Sequence, residues 1–169
     1  MKPIAVATVV DQDVETVYDF LDLLSAHEKF TDHMLAEWRL SGPERGVGAK
    51  VAVVATLGGK RDPVDIEVVE AERPTRIVER NVSAGGRRVA YGTYQLAPGS
   101  QGSTRITFSY ALAAAPFSER LLSPVIRAVM RRTLKVTMRR LRDELAHPGQ
   151  TIVGPRPPEE AASSASSTR

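Results

Sequence analysis

Histidines with acidic neighbours are the first residues in this chain that could do chemistry. His27, Glu28, Asp32 and His33 lie within seven residues, and each side chain can ligate a metal ion. Their spacing is not that of an HExxH helix, and the segment is expected to form a surface turn. The chain has no cysteine, which removes thiolate metal sites and cysteine nucleophiles. We therefore predict no metal site and no other cofactor. His33 is expected at the surface or, alternatively, at a cavity mouth near Trp38.

A glycine pair and a serine are weaker candidates. The sequence "GVG" at Gly46–Gly48 could suggest a phosphate-binding loop. It precedes a predicted strand and not a helix N-terminus, so a turn is the better interpretation. Ser123 lies in no nucleophile-elbow motif. Because Pro124 follows it, Ser123 fits the N-cap of a helix, with proline at the first helical position.

The segment Val125–Leu145 concentrates positive charge, with seven basic side chains in 21 residues. At about 100° per residue the charged and apolar side chains separate into two faces. We expect an amphipathic helix whose apolar face packs on a sheet and whose basic face meets solvent. The predicted basic face comprises Arg127, Arg131, Arg132, Lys135, Arg139 and Arg142; the predicted apolar face comprises Leu122, Val125, Ile126, Val129, Met130, Leu134 and Leu141.

One arginine of this helix falls on the predicted apolar side. Arg140 lies there with Thr133 and Thr137, and a buried guanidinium needs an acidic, phosphate or carbonyl partner. The three residues could therefore form a polar anchor for a ligand in a cavity. Alternatively, Arg140 reaches solvent at the helix end or pairs with Asp143 or Glu144.

The elements that must position these residues follow from periodicity and turn chemistry. Ile4–Val10 is a β-rich run, and "DQDVETVYDFLDLL" after it has helical spacing with Asp11 or Asp13 as N-cap. A second short helix or loop, "SAHEKFTDHM", leads to the strand "LAEWRLSG". Five more strands, at 46–57, 63–72, 75–84, 88–98 and 103–113, are separated by short Gly- and Pro-containing turns.

Connections this short join strands that pair antiparallel. We therefore predict an α+β fold. It consists of a sheet of about six to seven antiparallel strands, two short helices after the first strand, and a long C-terminal helix packed on the sheet.

Alternation within the strands predicts which side chains face the helix. One strand would turn Ile106, Phe108, Tyr110 and Leu112 inward, and its neighbour Ala90, Gly92, Tyr94 and Leu96; a third alternates Ala36, Trp38 and Leu40 against Glu37 and Arg39. Buried tyrosine and tryptophan bring a polar atom that needs a partner. Trp38, Tyr94, Phe108, Tyr110 and Met130 are therefore candidate pocket-lining residues, with ordinary core packing as the alternative.

Length and charge limit the possible domain organisation and location of the protein. A chain of 169 residues is expected to form one domain, which we place at residues 1–146, and the Pro/Ser/Ala-rich residues 147–169 predict a disordered tail. Residues 116–146 carry eight basic and three acidic side chains, so the excess positive charge lies in one helix. No apolar run reaches the roughly 18–20 residues of a membrane span. No signal peptide is expected, so we predict a cytoplasmic protein.

The order of elements and several phrases resemble the START-like (SRPBCC) superfamily, which includes polyketide cyclase/dehydrase-like and birch-pollen-allergen-like proteins. The phrases are "VATVVDQDVETVYDFL", the Trp38 strand with "GPERGVGAKV", "VVEAERPTRIVER", "YGTYQLAPGSQGSTRITFSYAL" and "PFSERLLSPVIRAVMRRTLKVTMRRLRDEL". They cover nearly all of residues 4–145. The resemblance implies a helix-grip fold, with a curved sheet around the long helix, and binding of an apolar small molecule such as a lipid, sterol, polyketide or aromatic compound.

These observations leave three hypotheses for function. The first is a non-catalytic binding or transport protein for an apolar ligand, acting as a monomer or homodimer. The second is an aromatase/cyclase or dehydratase of the same fold, which needs a general acid or base in the cavity; since no inward Asp or Glu is predicted, binding is favoured. The third is weak docking of the basic helix face on an anionic surface. Nucleic-acid binding is not expected, because basic and aromatic residues are not interleaved.

Overall fold

The computed structural model describes residues 3–57, 59–115 and 123–147. Seven strands form one antiparallel sheet in the order β1-β7-β6-β5-β4-β3-β2. The predicted α+β helix-grip architecture is confirmed: a curved antiparallel sheet, short helices after the first strand, and a long C-terminal helix. The strands are β1 (Ile4–Val10), β2 (Leu35–Ser41), β3 (Lys50–Leu57), β4 (Lys60–Glu72), β5 (Arg76–Ser83), β6 (Arg88–Pro98) and β7 (Thr104–Ala114).

Three α-helices accompany the sheet in the described part of the chain. Helix α1 (Val14–Asp22) begins after Asp13, whose carboxylate accepts a hydrogen bond from the backbone N–H of Thr16 at 3.0 Å. A 3₁₀ turn at Leu24–His27 leads into helix α2 (Glu28–Thr31), and helix α3 (Ser123–Ala146) is the last of the described elements. The predicted capping role of Ser123 lies outside the described residues, since neither its side chain nor the residue before it is described. The predicted tail lies outside them too, except for residue 147.

Helix α3 is amphipathic, but its buried face differs from the predicted one. Leu134, Met138, Leu141 and Leu145 are buried, and Leu145 lies 18 residues after Arg127, which is five turns at 3.6 residues per turn. Arg127 therefore points to the buried side of the helix, and the prediction that it faces solvent is wrong.

Two valines show the same rotation of the helix. Val125 and Val129 were placed on the apolar face, yet they are 65% and 41% exposed. The prediction set the rotation of the helix by placing its charged side chains in solvent. In the structure, the buried side chains are those on the side that packs on the sheet. The other five predicted basic-face residues are exposed: Arg131, Arg132, Lys135, Arg139 and Arg142.

Strand β2 contains an irregularity that sets the direction of Trp38. Ala36 pairs with Val54 and Arg39 with Ala52, so two residues of β2 lie opposite one of β3, and Glu37 has a φ of 58°. This β-bulge breaks the alternation. Ala36 is exposed. The prediction that Ala36 and Trp38 lie on the same face of the sheet is therefore wrong. The extra residue in the bulge puts Trp38 on the face opposite to Ala36.

The C-terminal end of α3 is fixed to the start of the domain. The Gln12 side-chain amide donates a hydrogen bond to the backbone carbonyl of Leu145 at 2.8 Å. The Gln12 backbone carbonyl in turn accepts one from the Thr104 hydroxyl at 2.8 Å. Nearby, Val17, Leu21 and other residues of α1 form the closed part of the core. The N-terminal half of α3 lies over the other end of the sheet, where a cavity remains.

Candidate functional site

A cavity of about 490 Å³ lies between the sheet and helix α3. Its volume is within the roughly 300–1,000 Å³ of small-molecule sites. Both layers contribute apolar side chains to its wall, including Ile4, Leu24, Leu35, Val64, Ile66 and Leu112 from the sheet side and Ile126, Met130 and Leu134 from α3.

Six of the predicted site residues lie on the cavity wall: Trp38, Tyr94, Phe108, Tyr110, Met130 and Thr137. The alternation of β6 and β7 brings the aromatic residues there, because Tyr94 pairs with Phe108 across the two strands. Their ring centroids are 4.6 Å apart. Trp38 comes from the opposite edge of the sheet and shares the wall with Leu35, as the bulge in β2 requires.

Arg140 takes a different position from the predicted anchor. Among the described residues, the cavity wall includes neither Arg140 nor Thr133. The Arg140 guanidinium forms an ion pair with Asp32 of the segment after α2, and its side chain is 42% exposed. The Thr133 hydroxyl donates back to the Val129 carbonyl at 3.1 Å. Arg140 therefore ties α3 to the segment after α2, and the prediction that it anchors a cavity ligand is not supported by its position.

His33 lies behind the wall and not on it. Its Nε2 is 3.3 Å from the Thr137 hydroxyl, and its Nδ1 is buried without a hydrogen bond to any described residue. Burial, and secondly the positive charge of Arg140, lower the pKa of His33 below its usual value. His33 therefore favours the neutral ring and supports Thr137 from outside the cavity.

A buried histidine–carboxylate pair is the main feature that the sequence did not reveal. His27 Nδ1 lies 3.2 Å from Glu79 Oε1, and both residues are on the cavity wall. His27 and Glu79 are 4% and 6% exposed. The predicted surface position of His27 is wrong, because the 3₁₀ turn packs against the inner face of β5. The prediction that no acidic side chain faces inward is wrong as well.

Hydrogen bonding fixes the orientation of this pair. His27 Nε2 is 2.7 Å from the backbone carbonyl of Leu21, which can only accept, so Nε2 carries a proton. The other ring nitrogen, Nδ1, faces the Glu79 carboxylate. At 3.2 Å the two groups are within ion-pairing distance, yet Oε1 makes no well-aligned hydrogen bond with any described residue.

The surroundings of Glu79 are aromatic and closely packed. Burial, and secondly the Glu79 carboxylate, raise the pKa of Tyr94 well above its usual value, so its phenol stays protonated. Gly92 provides the space for this arrangement. A β-carbon there would lie 3.1 Å from the Phe108 ring and 3.3 Å from Glu79 Oε2.

Polar residues continue from Glu79 along β5 to one end of the cavity. Asn81 and Ser83 follow on the same face at two-residue intervals and also line the wall. Arg88 of β6 pairs with Asp62 and donates to the Ser83 hydroxyl at 2.8 Å. Lys60 and Arg127 line the cavity as well. The interior is therefore an apolar chamber crossed by one polar stripe.

The side chains considered as metal ligands point in different directions. His27 meets Glu79, His33 meets Thr137, and Asp32 meets Arg140. Over residues 3–57, 59–115 and 123–147, no group of three or more His, Cys, Asp or Glu side chains is placed to hold a metal ion.

A comparison with protein-family models gives a match over almost the whole described chain. The model for "Polyketide cyclase / dehydrase and lipid transport" matches residues 2–146. The chain belongs to this family. The resemblance to the START-like superfamily is thereby confirmed.

Solved structures agree on the fold at low sequence identity. TTHA0849 from Thermus thermophilus has a TM-score of 0.67 at 17% identity, covering 86% of this chain and 97% of that chain. A START superfamily protein from Mycobacterium smegmatis has a TM-score of 0.67 at 10% identity, covering 85% and 97%. DynU16 of the dynemicin biosynthetic locus has a TM-score of 0.60 at 20% identity, and the match covers 87% of this chain but 48% of DynU16. No curated protein sequence shows significant similarity.

Of the helices that the structure describes, none is both long enough and apolar enough to span a bilayer.

Proposed function

We propose that this protein binds an apolar small molecule, such as a lipid, sterol, polyketide or aromatic compound, in the cavity between the sheet and α3. The observation that carries the proposal is a cavity of about 490 Å³ whose wall is mainly aliphatic and aromatic. Burying apolar ligand surface there is favourable by about 25 cal/mol per Å². A few polar groups on the wall supply orientation. Membership of the family supports the same conclusion.

Native mass spectrometry of the purified protein tests the proposal directly, since a co-purifying apolar molecule should appear as a mass increment. Titration with anilinonaphthalene sulfonate gives an affinity. A matched pair of variants on β3 locates the site: Ala55 lines the cavity, whereas Ala52 is exposed on the opposite face. Ala55→Phe should weaken binding at least about tenfold, and Ala52→Phe should leave it unchanged. Failure of a broad apolar panel to bind the wild-type protein would overturn the proposal.

A second candidate function, proton-transfer catalysis of the cyclase or dehydratase type, is favoured by the His27–Glu79 pair. A buried carboxylate beside an imidazole can act as general base and then as general acid. Tyr94 lies next to it as a neutral phenol, with its ring centroid 5.7 Å from that of His27. The sequence argument against catalysis rested on the lack of an inward acid, and Glu79 removes that argument.

Solvent exchange distinguishes catalysis from binding. The molecule found by mass spectrometry is incubated with the protein in deuterated water. A catalyst should introduce deuterium at carbon or release a new product, and Glu79→Gln should abolish either change. A ligand that binds and is recovered unlabelled would exclude proton abstraction from carbon. Docking through the exposed basic face of α3 remains a prediction, and salt-insensitive behaviour on anionic vesicles would argue against it.

A further inference from the structure

Positive charge is concentrated at one end of the cavity wall. Lys60 lies at the start of β4 and Arg88 at the start of β6, and both line the cavity. The pairing of Val64 with Ser83, and of Ser83 with Arg88, brings the two strand starts to the same end of the sheet. Lys60 is four residues before Val64, so alternation puts both on one face. The two cations therefore border the same end of the cavity.

Helix α3 brings a third cation to this end. Leu145 is held at the opposite end of the sheet by Gln12. Arg127 precedes Leu145 by 18 residues, or about 27 Å along the helix axis. It is half-buried and lines the cavity. We call three residues the basic rim: Lys60, Arg88 and Arg127.

The basic rim is where the cavity meets solvent. Lys60 is exposed although it lines the cavity, and it forms no ion pair with another described residue. The described part of the wall has two acidic side chains. Asp62 pairs with Arg88 at the rim, whereas Glu79 lies farther along β5. Of the described side chains, three cations and one carboxylate thus gather at this end of the wall.

The part of the wall around Glu79 is unfavourable for an anion. Like charges repel, and the repulsion is stronger where water is excluded. The rings of Tyr94 and Phe108 lie in the same part of the wall, with centroids 4.6 Å apart. Burying a charge among such groups without a partner is costly. A ligand with one acidic group is therefore stabilised in one orientation, with the acid at the basic rim and the apolar part against the aromatic rings.

We infer that the cavity selects an apolar molecule that ends in a carboxylate, and that Lys60 and Arg127 bind the carboxylate at the basic rim. Arg88 has a supporting role, because its guanidinium already binds Asp62. An alkyl chain that ends in a carboxylate has this chemistry. The inference rests on the proposed function, that the cavity binds an apolar small molecule, and adds the charge and the orientation of the ligand.

Three molecules with the same alkyl chain length separate the effect of charge from that of hydrogen bonding. Dodecanoate is ionised at about pH 7.5, methyl dodecanoate keeps the carbonyl without the charge, and dodecanol has neither. Affinities are measured by displacement of N-phenyl-1-naphthylamine, a neutral fluorescent probe. In low salt, dodecanoate should bind about three- to tenfold more tightly than either neutral molecule. This preference should shrink at about 0.5 M sodium chloride, because salt screens charges near solvent.

Removing the rim charges should remove the preference for the acid. Lys60→Met and Arg127→Met should each reduce it about two- to threefold, and the double variant should bind the three molecules equally. Lys135→Met is the matched control, since Lys135 is exposed on α3 and is not among the described residues of the wall. It should keep the full preference. An unchanged affinity for dodecanol shows that the cavity of each variant is intact.

Several outcomes would overturn the inference and leave the proposed function intact. One is wild-type protein that binds dodecanoate no more tightly than dodecanol. Another is a preference that persists in the double variant or falls equally in Lys135→Met. If the double variant does not fold, Lys60→Met alone decides the question, because Lys60 is exposed and its replacement disturbs little packing. If neither the neutral probe nor any of the three molecules binds the wild-type protein, the proposed function itself fails.

Discussion

Breaking the His27–Glu79 pair from the histidine side should destabilise the folded protein strongly. His27→Leu keeps a similar volume but leaves the Glu79 carboxylate, in a residue that is 6% exposed, without its imidazole partner. Removing one member of a buried ion pair costs about 3–5 kcal/mol. We expect about 3 kcal/mol, the lower end, because the two groups are 3.2 Å apart without a well-aligned hydrogen bond, so the contact is weaker than a well-formed pair. For a domain of this size that lowers Tm by about 6–12 °C.

Replacing both members should restore much of that loss. A buried pair exchanged for apolar side chains of similar volume is often neutral or stabilising. His27→Leu combined with Glu79→Leu should therefore be more stable than His27→Leu alone, and the two single losses should not add. The free energy of unfolding of all four proteins is measured by urea titration followed by circular dichroism.

An exposed ion pair of the same sheet serves as the control. Lys50 and Glu67 are 3.2 Å apart with side chains 52% and 35% exposed, and Glu67→Gln should cost less than about 1 kcal/mol. The reasoning is refuted if His27→Leu costs no more than this control, or if the single losses add in the double variant.

Three further predictions concern residues around the site and the fold. Gly92→Ala should lower the free energy of unfolding by about 1–3 kcal/mol and weaken probe binding, because its β-carbon would lie 3.1 Å from the Phe108 ring. An unchanged Tm and affinity would mean that the Phe108 side chain shifts without cost. Asp13→Ala should lower the free energy of unfolding by about 1 kcal/mol through loss of the α1 cap, and Asp13→Ser should recover most of it. Because the pKa of His33 is lowered in the folded state, its contribution is fully present above the unfolded value of 6.5 and is lost as pH falls toward the lowered value. The unfolding free energy of His33→Gln should therefore fall less steeply below pH 6.5, and identical slopes in both proteins would contradict this account.

The fold could be predicted because its signals are local. Strand alternation and turn residues such as those around Gly99 act over a few positions, and the long helix has its own period. The predicted inner faces of β6 and β7 are confirmed by the burial of Ala90, Tyr94, Leu96 and Ile106. Local patterning suffices in β7, where polar and apolar residues alternate from Arg105 to Tyr110.

Strand β5 shows why the chemistry of the site could not be predicted in the same way. In "RIVERNVS" one face carries Ile77, Glu79, Asn81 and Ser83, and the other carries Arg76, Val78, Arg80 and Val82. The two faces are similarly polar, so alternation alone does not decide which is buried. The missing information is the position of the cavity. Side chains that line a cavity can be polar, whereas those in a packed core are mostly apolar.

The arginines of α3 illustrate a second limit of prediction from the sequence. Sorting the helix by charge placed Arg140 inside and Arg127 outside, and the structure has the opposite arrangement. Counting back from Leu141 and Leu145, which are buried, would have placed Arg127 correctly. The sequence alone does not show that Leu141 and Leu145 are buried. The end of the helix that carries them is held by the hydrogen bond from Gln12, a residue distant in sequence.

The bulge in β2 also bears on how the protein avoids associating through its sheet. In the described sheet β2 and β1 are the outermost strands, and an outermost strand can template pairing with another chain. At β2 the bulge twists the backbone at Glu37, which forms an ion pair with Arg61, and Arg39 is exposed beside it. At β1 the edge is packed against α3. Each edge of the sheet thus has a feature that disfavours pairing with a strand of another chain. The β-bulge that directs Trp38 to the cavity is the feature at β2.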